Sequence, residues 1–146
     1  MKTSKTGIDL IKEFESCSLK AYKCPAGVLT IGYGHTGLVN GKPITSDMTI
    51  TELLAETLLA IDLQKFENAV NKLNLELNQN QFDSIISFIF NIGSGNFQSS
   101  TMLKKLKAKD YVGASNEFDK WIYAKGKKLA GLIKRRAKEK LLFLKK

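Results

Sequence analysis

The sequence predicts an α+β fold that is mostly helical and has two lobes. Residues 19–45 concentrate glycines, both prolines and several β-branched residues, a composition typical of strands and turns. Most of the remaining chain repeats its apolar residues with helical spacing. One such pattern, over residues 50–73, extends for roughly 36 Å as a helix, which exceeds the diameter of a small lobe.

Length and composition exclude several classes of protein. The chain has 146 residues, 43% of them hydrophobic, which suffices for one domain with a packed core. Its 2 Cys do not make a disulfide scaffold. No metal site is expected, because Cys17, Cys24 and His35 offer too few ligands at irregular spacing. The longest apolar run is about six residues, far below the roughly 20 that a membrane span needs.

The first helix is predicted over residues 7–15. Ile8, Ile11 and Glu15 share one face because they are spaced i, i+3 and i+7. Glu15 therefore points inward at the end of the helix, where desolvation favours the neutral carboxyl that a general acid requires. The alternative is a glutamate that only caps the helix or forms an ion pair.

A β-hairpin is predicted over residues 19–36, with Pro25-Ala26-Gly27 at the turn. Cys24 and Thr30 lie on its two arms. The segment TIGYGHT at 30–36 lacks the lysine of a phosphate-binding loop, so its glycines are expected to let the backbone approach a ligand closely. For His35, pairing with an acid is weighed equally against catalysis.

The pattern over residues 50–73 predicts one helix that connects the lobes, which cover about 1–60 and 74–146 of a single domain. Thr49 and Glu52 form a capping box at its start. The alternative is two helices with a kink near Asp62.

Further helices are predicted near 79–91, 99–107, 110–124 and 129–144. Trp121 is expected to belong to the core. Because ligand sites tend to lie in the cleft between lobes, the functional site is expected there.

The formal net charge of +9 favours a polyanionic partner. The basic stretch from Lys125 to Arg136 is interpreted either as a solvated helix face or as a surface that attracts an anionic polymer. Motifs that read nucleic-acid bases are absent, so no nucleic-acid partner is expected.

Three ordered blocks resemble the phage-type lysozymes, or endolysins, of glycoside hydrolase family twenty-four. The spacing of Glu15, Cys24 and Thr30 is similar to that of the family's catalytic triad, and TIGYGHT resembles the segment that follows it. SFIFNIGSGNF at 87–97 with Ser100 resembles the second block. Trp121 with GLIKRRAKEKLLF at 131–143 resembles the third. One position departs from the family pattern: the middle triad residue is most often Asp, and Cys24 resembles a minority variant.

The resemblance implies a lysozyme-like fold and a muramidase that hydrolyses the β-1,4 bond between N-acetylmuramic acid and N-acetylglucosamine in peptidoglycan. It implies Glu15 as the acid, and Cys24 and Thr30 as the groups that activate and hold water. The family positions near the sugar are Tyr22, Thr36, Phe90, Asn91 and Ser100. Arg136 is the implied partner of Glu15.

The resemblance also implies partners and a location. The enzyme is expected to be a monomer without a cofactor or stable membrane insertion, and to wait in the host cytoplasm until a separate membrane pore, a holin, releases it. Two alternatives stay open at this point. A lytic transglycosylase would leave 1,6-anhydromuramic ends, and an inactive protein with this fold would only bind the cell wall.

Overall fold

The computed structural model describes residues 1–146 as seven α-helices, one 3-10 turn and two small hairpins. The elements, in chain order, are α1 (Lys5–Phe14), β1 (Ser18–Lys23), β2 (Leu29–Gly32), α2 (Glu52–Asn71), α3 (Gln79–Ile92), α4 (Ser94–Gln98), α5 (Thr101–Lys107), α6 (Tyr111–Glu117), the 3-10 turn (Phe118–Lys120), β3 (Tyr123–Ala124), β4 (Lys127–Lys128) and α7 (Ala130–Leu144). The mostly helical α+β class is therefore confirmed. None of the helices is both long and apolar enough to span a membrane.

The chain forms two compact units. One consists of Lys12–Gln64, and the other combines Met1–Ile11 with Lys65–Lys146. Both α1 and α2 contribute residues to the two units. The first eleven residues therefore pack with the C-terminal part of the chain, although in sequence they directly precede the hairpin.

The unit Lys12–Gln64 is built around the predicted hairpin. Strands β1 and β2 are antiparallel, with Tyr22 opposite Thr30 and an irregularity between Ser18 and Tyr22. The turn at 24–28 closes with two backbone hydrogen bonds, from Cys24 N to Val28 O and from Gly27 N to Cys24 O. One face of the hairpin covers a small apolar core, whose buried members are Ala21, Ile31, Val39, Ile44 and Leu58.

Helix α2 is one unbroken helix over Glu52–Asn71, without a break near Asp62. Its start differs from the prediction. Thr49 lies in an isolated β-bridge with Lys20, which holds its backbone extended. The cap is instead Thr51, whose hydroxyl accepts a hydrogen bond of 3.1 Å from the amide of Leu54.

The other unit has α3 at its centre. Asn78 and Gln81 form a reciprocal capping box at the start of α3, and eight consecutive residues from Phe82 to Ile89 are buried. The ring of Phe118 packs edge-on against Phe88 at 5.2 Å and against Phe143 of α7 at 5.7 Å. Trp121 also contacts Phe88, at 5.8 Å, and is half-buried.

The N-terminal residues are anchored to this unit by buried carboxylates. Glu67 accepts hydrogen bonds from the amide and hydroxyl of Thr3, at 2.7 and 2.6 Å. Asp83, which is fully buried, accepts from the amide of Ser4 at 3.0 Å and from its hydroxyl. Gly7 approaches Asp83 so closely that an added Cβ would lie 2.8 Å from the Asp83 Cβ.

The helix predicted over 110–124 is wrong in its second half. Helix α6 ends at Glu117, and after the 3-10 turn the chain forms the hairpin β3–β4. Its two-residue turn has positive φ at both positions, 51° at Lys125 and 78° at Gly126. Such a turn matches the twist of a tight hairpin, so the local turn geometry overrides the helical period.

Candidate active site

The three predicted catalytic residues all belong to the unit Lys12–Gln64. Glu15 follows the last residue of α1 and is half-buried. Cys24 follows β1 and is partly exposed, and Thr30 lies in β2 and is 3% exposed. The hairpin therefore carries two of the three groups on facing arms, a few residues after the helix that presents the carboxyl.

The surroundings of Cys24 favour its charged form. Hydrogen bonds to the sulfur from the backbone of Val28 and of Ala26 lower the pKa of the thiol, and the hydroxyl of Thr30 acts in the same direction. Slight desolvation opposes them without reversing the direction. A turn whose amides converge on a sulfur thus stabilises the thiolate, the form that can accept a proton.

Thr30 has one hydroxyl proton and two acceptors within reach. Its Oγ1 lies 3.0 Å from Val28 O, and the same hydroxyl is near enough to the Cys24 sulfur to lower the pKa of the thiol. With a neutral thiol, Thr30 donates to Val28 O and the thiol donates to Oγ1. With a thiolate, the hydroxyl can rotate and donate to the sulfur. Thr30 can therefore follow the protonation state of Cys24.

Two predicted sugar-contacting residues lie on the same unit. Tyr22 is opposite Thr30 in the hairpin register and is 43% exposed. Thr36 is exposed and lies in the loop after β2, directly after His35. Both side chains are open to a ligand.

His35 has a structural position. It is 5% exposed, and its Nδ1 lies 2.8 Å from Asp62 Oδ2 of α2. Its Nε2 lies 2.9 Å from Leu38 O. The Asp62 carboxylate and the Leu38 carbonyl thus face the two ring nitrogens from opposite sides of the imidazole. Of the two interpretations of His35, the structure has the pairing with an acid, and this pair ties the loop after β2 to α2.

Near the start of the hairpin, Tyr33 interacts with Cys17. Partial burial raises the pKa of the Tyr33 phenol, and the neighbouring Cys17 thiol raises it further. No three His, Cys, Asp or Glu side chains in the structure are grouped so that they could hold a metal ion.

The remaining predicted site residues belong to the other unit. Phe90 packs edge-on against Phe66 at 5.9 Å and stays partly exposed. Asn91 is exposed, and its Oδ1 accepts a hydrogen bond from the Arg136 guanidinium. This contact uses the Oδ1 of Asn91, whose amide NH₂ is its donor group.

Ser100 has a role in the fold that the sequence analysis did not assign. Its hydroxyl caps α5, accepting from Leu103 N at 3.1 Å, and donates to Phe97 O at 2.6 Å. The side chain is 6% exposed. Contact of Ser100 with a sugar stays a prediction.

Arg136 lies in a buried ionic network between α3 and α7 that sequence reasoning did not find. Glu139 accepts from Arg136 NH1 at 2.7 Å, from Arg135 Nε at 3.2 Å and from the hydroxyl of Ser87 at 2.6 Å. Burial raises the pKa of Glu139 and lowers that of Arg136. The i, i+3 and i, i+4 spacing of these residues signals ion pairs, but nothing in the sequence signals their burial. Pairing of Arg136 with Glu15 stays a prediction.

Comparisons with known proteins identify the family of the whole chain. A family model described as "Phage lysozyme" matches residues 12–139. The endolysin of Acyrthosiphon pisum secondary endosymbiont phage 1 is 47% identical over 98% of both chains, and that of Salmonella phage P22 is 45% identical over 99% of both.

Solved structures give the same result. A mutant of P22 lysozyme superposes with a TM-score of 0.93 at 44% identity, covering 99% of both chains. The muramidase domain of SpmX from Asticaccaulis excentricus reaches a TM-score of 0.88 at 39% identity, again over 99% of both. Sequence and fold therefore agree, and the chain belongs to the phage lysozyme family.

Proposed function

We propose that Glu15, Cys24 and Thr30 together carry out the hydrolysis that makes this member of the phage lysozyme family a muramidase and an endolysin. The observation that carries this assignment is the Cys24 sulfur, on which two backbone amides and the Thr30 hydroxyl converge. This arrangement gives cysteine the acceptor character that the more usual aspartate supplies at the same position.

In the proposed reaction, Glu15 is the general acid. Its neutral carboxyl donates a proton to the glycosidic oxygen that links N-acetylmuramic acid to N-acetylglucosamine, and the bond from the muramic C1 to that oxygen breaks. The positive charge that develops on the sugar ring is stabilised by the nearby thiolate of Cys24.

Water completes the reaction on the Cys24 side. The thiolate accepts a proton from a water molecule whose oxygen bonds to C1, and the Thr30 hydroxyl holds that water. Cys24 leaves this step as a thiol and Glu15 as a carboxylate, and solvent returns the proton from one to the other. The net reaction adds one water across the β-1,4 bond.

Five residues are proposed to bind the sugar chain: Tyr22, Thr36, Phe90, Asn91 and Ser100. Tyr22 and Phe90 offer partly exposed rings, and Asn91 offers an amide donor. Arg136 is the proposed partner of Glu15, in addition to its contact with Glu139.

The biological setting is also proposed. The formal charge of +9 concentrates the enzyme on anionic peptidoglycan, an attraction that salt weakens. The enzyme acts as a monomer on the cell wall, waits in the host cytoplasm before lysis, and reaches the wall through a separate membrane pore.

The test is a digest of purified peptidoglycan, with products identified by mass before and after borohydride reduction. The unaltered enzyme is expected to release reducible muropeptides, and Glu15→Gln none. Anhydromuramic products would instead identify a lytic transglycosylase. Binding to peptidoglycan without any product from the unaltered enzyme would identify a wall-binding protein.

A further inference from the structure

Helix α7 carries an exposed stripe that the proposed catalytic chemistry does not use. With about 3.6 residues per turn, one face of the helix collects four apolar residues, Ile133, Ala137, Leu141 and Leu144. Lys134 lies along one edge of this face, and Lys145 directly follows the last residue of the helix. The opposite face buries Arg135, Arg136, Glu139 and Phe143. One face of α7 is therefore buried in the core, and a second, apolar face is exposed to solvent.

The exposure of this stripe is large. Leu141 is 73% exposed, Leu144 49% and Ile133 45%. Single exposed apolar side chains are common on protein surfaces. Here three of them share one face over roughly 17 Å of one helix, which is the arrangement of an interaction surface.

A groove continues the stripe at the end of α7. It has a volume of about 270 Å³, and its lining includes apolar Val112, Phe143 and Leu144, polar Asn78, Gln81 and Tyr111, and the cationic Lys145 and Lys146. Val112, on α6, is itself 70% exposed. The groove thus combines apolar and polar side chains with two cationic ones at its end.

Apart from Asp119 of the 3-10 turn, which pairs with Lys140 at 2.7 Å, the charges around the stripe have one sign. Between residues 125 and 146 the only acidic residue is Glu139, which is fully buried. The exposed charged residues of this segment are all lysines: Lys125, Lys127, Lys128, Lys134, Lys138, Lys145 and Lys146. These charges favour an anionic partner.

We propose that this face of α7, with the groove, docks on the surface of a bilayer that contains anionic phospholipids. A hydrated anionic polymer would pair with the lysines but leave Leu141, Leu144 and Ile133 in water. A second copy of the chain would place lysines against lysines. A bilayer interface can bind both the lysines and the apolar side chains. The lipid phosphates pair with the lysines, and the apolar side chains insert at the boundary between headgroups and acyl chains. The attachment is peripheral and reversible, and α7 stays on the surface.

The test is flotation of the full chain with vesicles of phosphatidylglycerol and phosphatidylcholine in equal parts, compared with phosphatidylcholine alone. We expect at least about ten-fold stronger partitioning into the anionic vesicles, weakening with salt. Lys134→Gln and Lys145→Gln should each reduce it about five-fold. The pair Leu141→Gln and Leu144→Gln should reduce it more than ten-fold.

Matched controls lie outside the stripe, one on α2 and one directly after it. Leu53→Gln changes a leucine that is 77% exposed, and Lys72→Gln an exposed lysine. Both should partition like the unaltered chain, and the double leucine variant should digest peptidoglycan at the unaltered rate. Three results would overturn the proposal: equal partitioning of the leucine variants and the unaltered chain, binding to peptidoglycan sacculi but to no vesicle, or a dimer without lipid that Leu141→Gln dissociates.

Discussion

The hairpin with Cys24 and the buried Arg136–Glu139 network between α3 and α7 differ in how the protein surrounds a charged group. Cys24 stays partly exposed, and its charge is stabilised by hydrogen bonds from a turn. Arg136 and Glu139 are fully buried, and burial acts against the charged form of each. A partly solvated group can exchange protons with substrate and water at little cost. A buried ion pair is held in one state, which suits it to fixing side-chain positions.

The largest effect that would separate the two regions is expected from Cys24→Ser. The hydroxyl preserves the hydrogen bonds of the turn but does not ionise at neutral pH, so the proton acceptor is lost. We expect kcat to fall about 10²–10⁴-fold with stability within about 0.5 kcal/mol of the unaltered chain. Steady-state kinetics measures the fall in kcat, and urea unfolding measures the stability. Unchanged kcat would remove Cys24 from the mechanism, and Cys24→Asp should retain activity.

The buried network is expected to give the reverse pattern. Glu139→Ala leaves two guanidinium groups buried without the carboxylate that both contact, and should lower the free energy of unfolding by about 3–5 kcal/mol. The control is Lys140→Ala, which removes a 2.7 Å pair with Asp119 at the surface and should cost under about 1 kcal/mol. Similar costs for both variants, measured by urea unfolding, would contradict the contrast between the regions.

The lowered pKa of the Cys24 thiol can be tested directly by following its reactivity as the pH changes. In a Cys17→Ser background, alkylation by iodoacetamide should follow thiolate formation at a pH below the ordinary thiol pKa of about 8.5. Thr30→Val removes one donor and should move the midpoint upward. The pKa of the Cys24 thiol is lower in the folded chain than in the unfolded chain. The thiolate therefore contributes to stability in full above the pKa of the unfolded chain, and this contribution is lost as the pH falls through the pKa of the folded chain. A midpoint that Thr30→Val leaves unchanged would contradict the hydrogen bond.

The anchoring of the N-terminal residues predicts a moderate effect. Gly7→Ala would place a Cβ 2.8 Å from the Asp83 Cβ, inside a region that is already packed. We expect a cost of about 1–3 kcal/mol in thermal or urea unfolding. Gly131→Ala is the matched control, because nothing lies within 4 Å of its added Cβ. In α7 that substitution should be neutral or stabilising.

The sequence contained the signals for much of this structure. Helical spacing found α1, α2, α3 and α7, and the turn residues at 25–27 found the first hairpin, because these patterns are local. Ser100 and Glu139 show what such patterns omit. Whether a hydroxyl caps a helix or faces solvent, and whether a carboxylate is buried, depends on segments distant in sequence. The convergence of the turn amides on Cys24 likewise depends on how the turn closes.

The smallest expected change in stability concerns the residue that caps the start of α2. At this position local spacing and tertiary structure favour different residues. Thr49 and Thr51 are both hydroxyl residues before the same helix, and spacing to Glu52 favours Thr49 as the cap. The bridge between Thr49 and Lys20 keeps that backbone extended, so the cap shifts to Thr51. Thr51→Ala should therefore destabilise the chain by about 1 kcal/mol, and Thr49→Ala by less than half of that. The reverse order in urea unfolding would mean that local spacing, and not the tertiary bridge, determines where α2 begins.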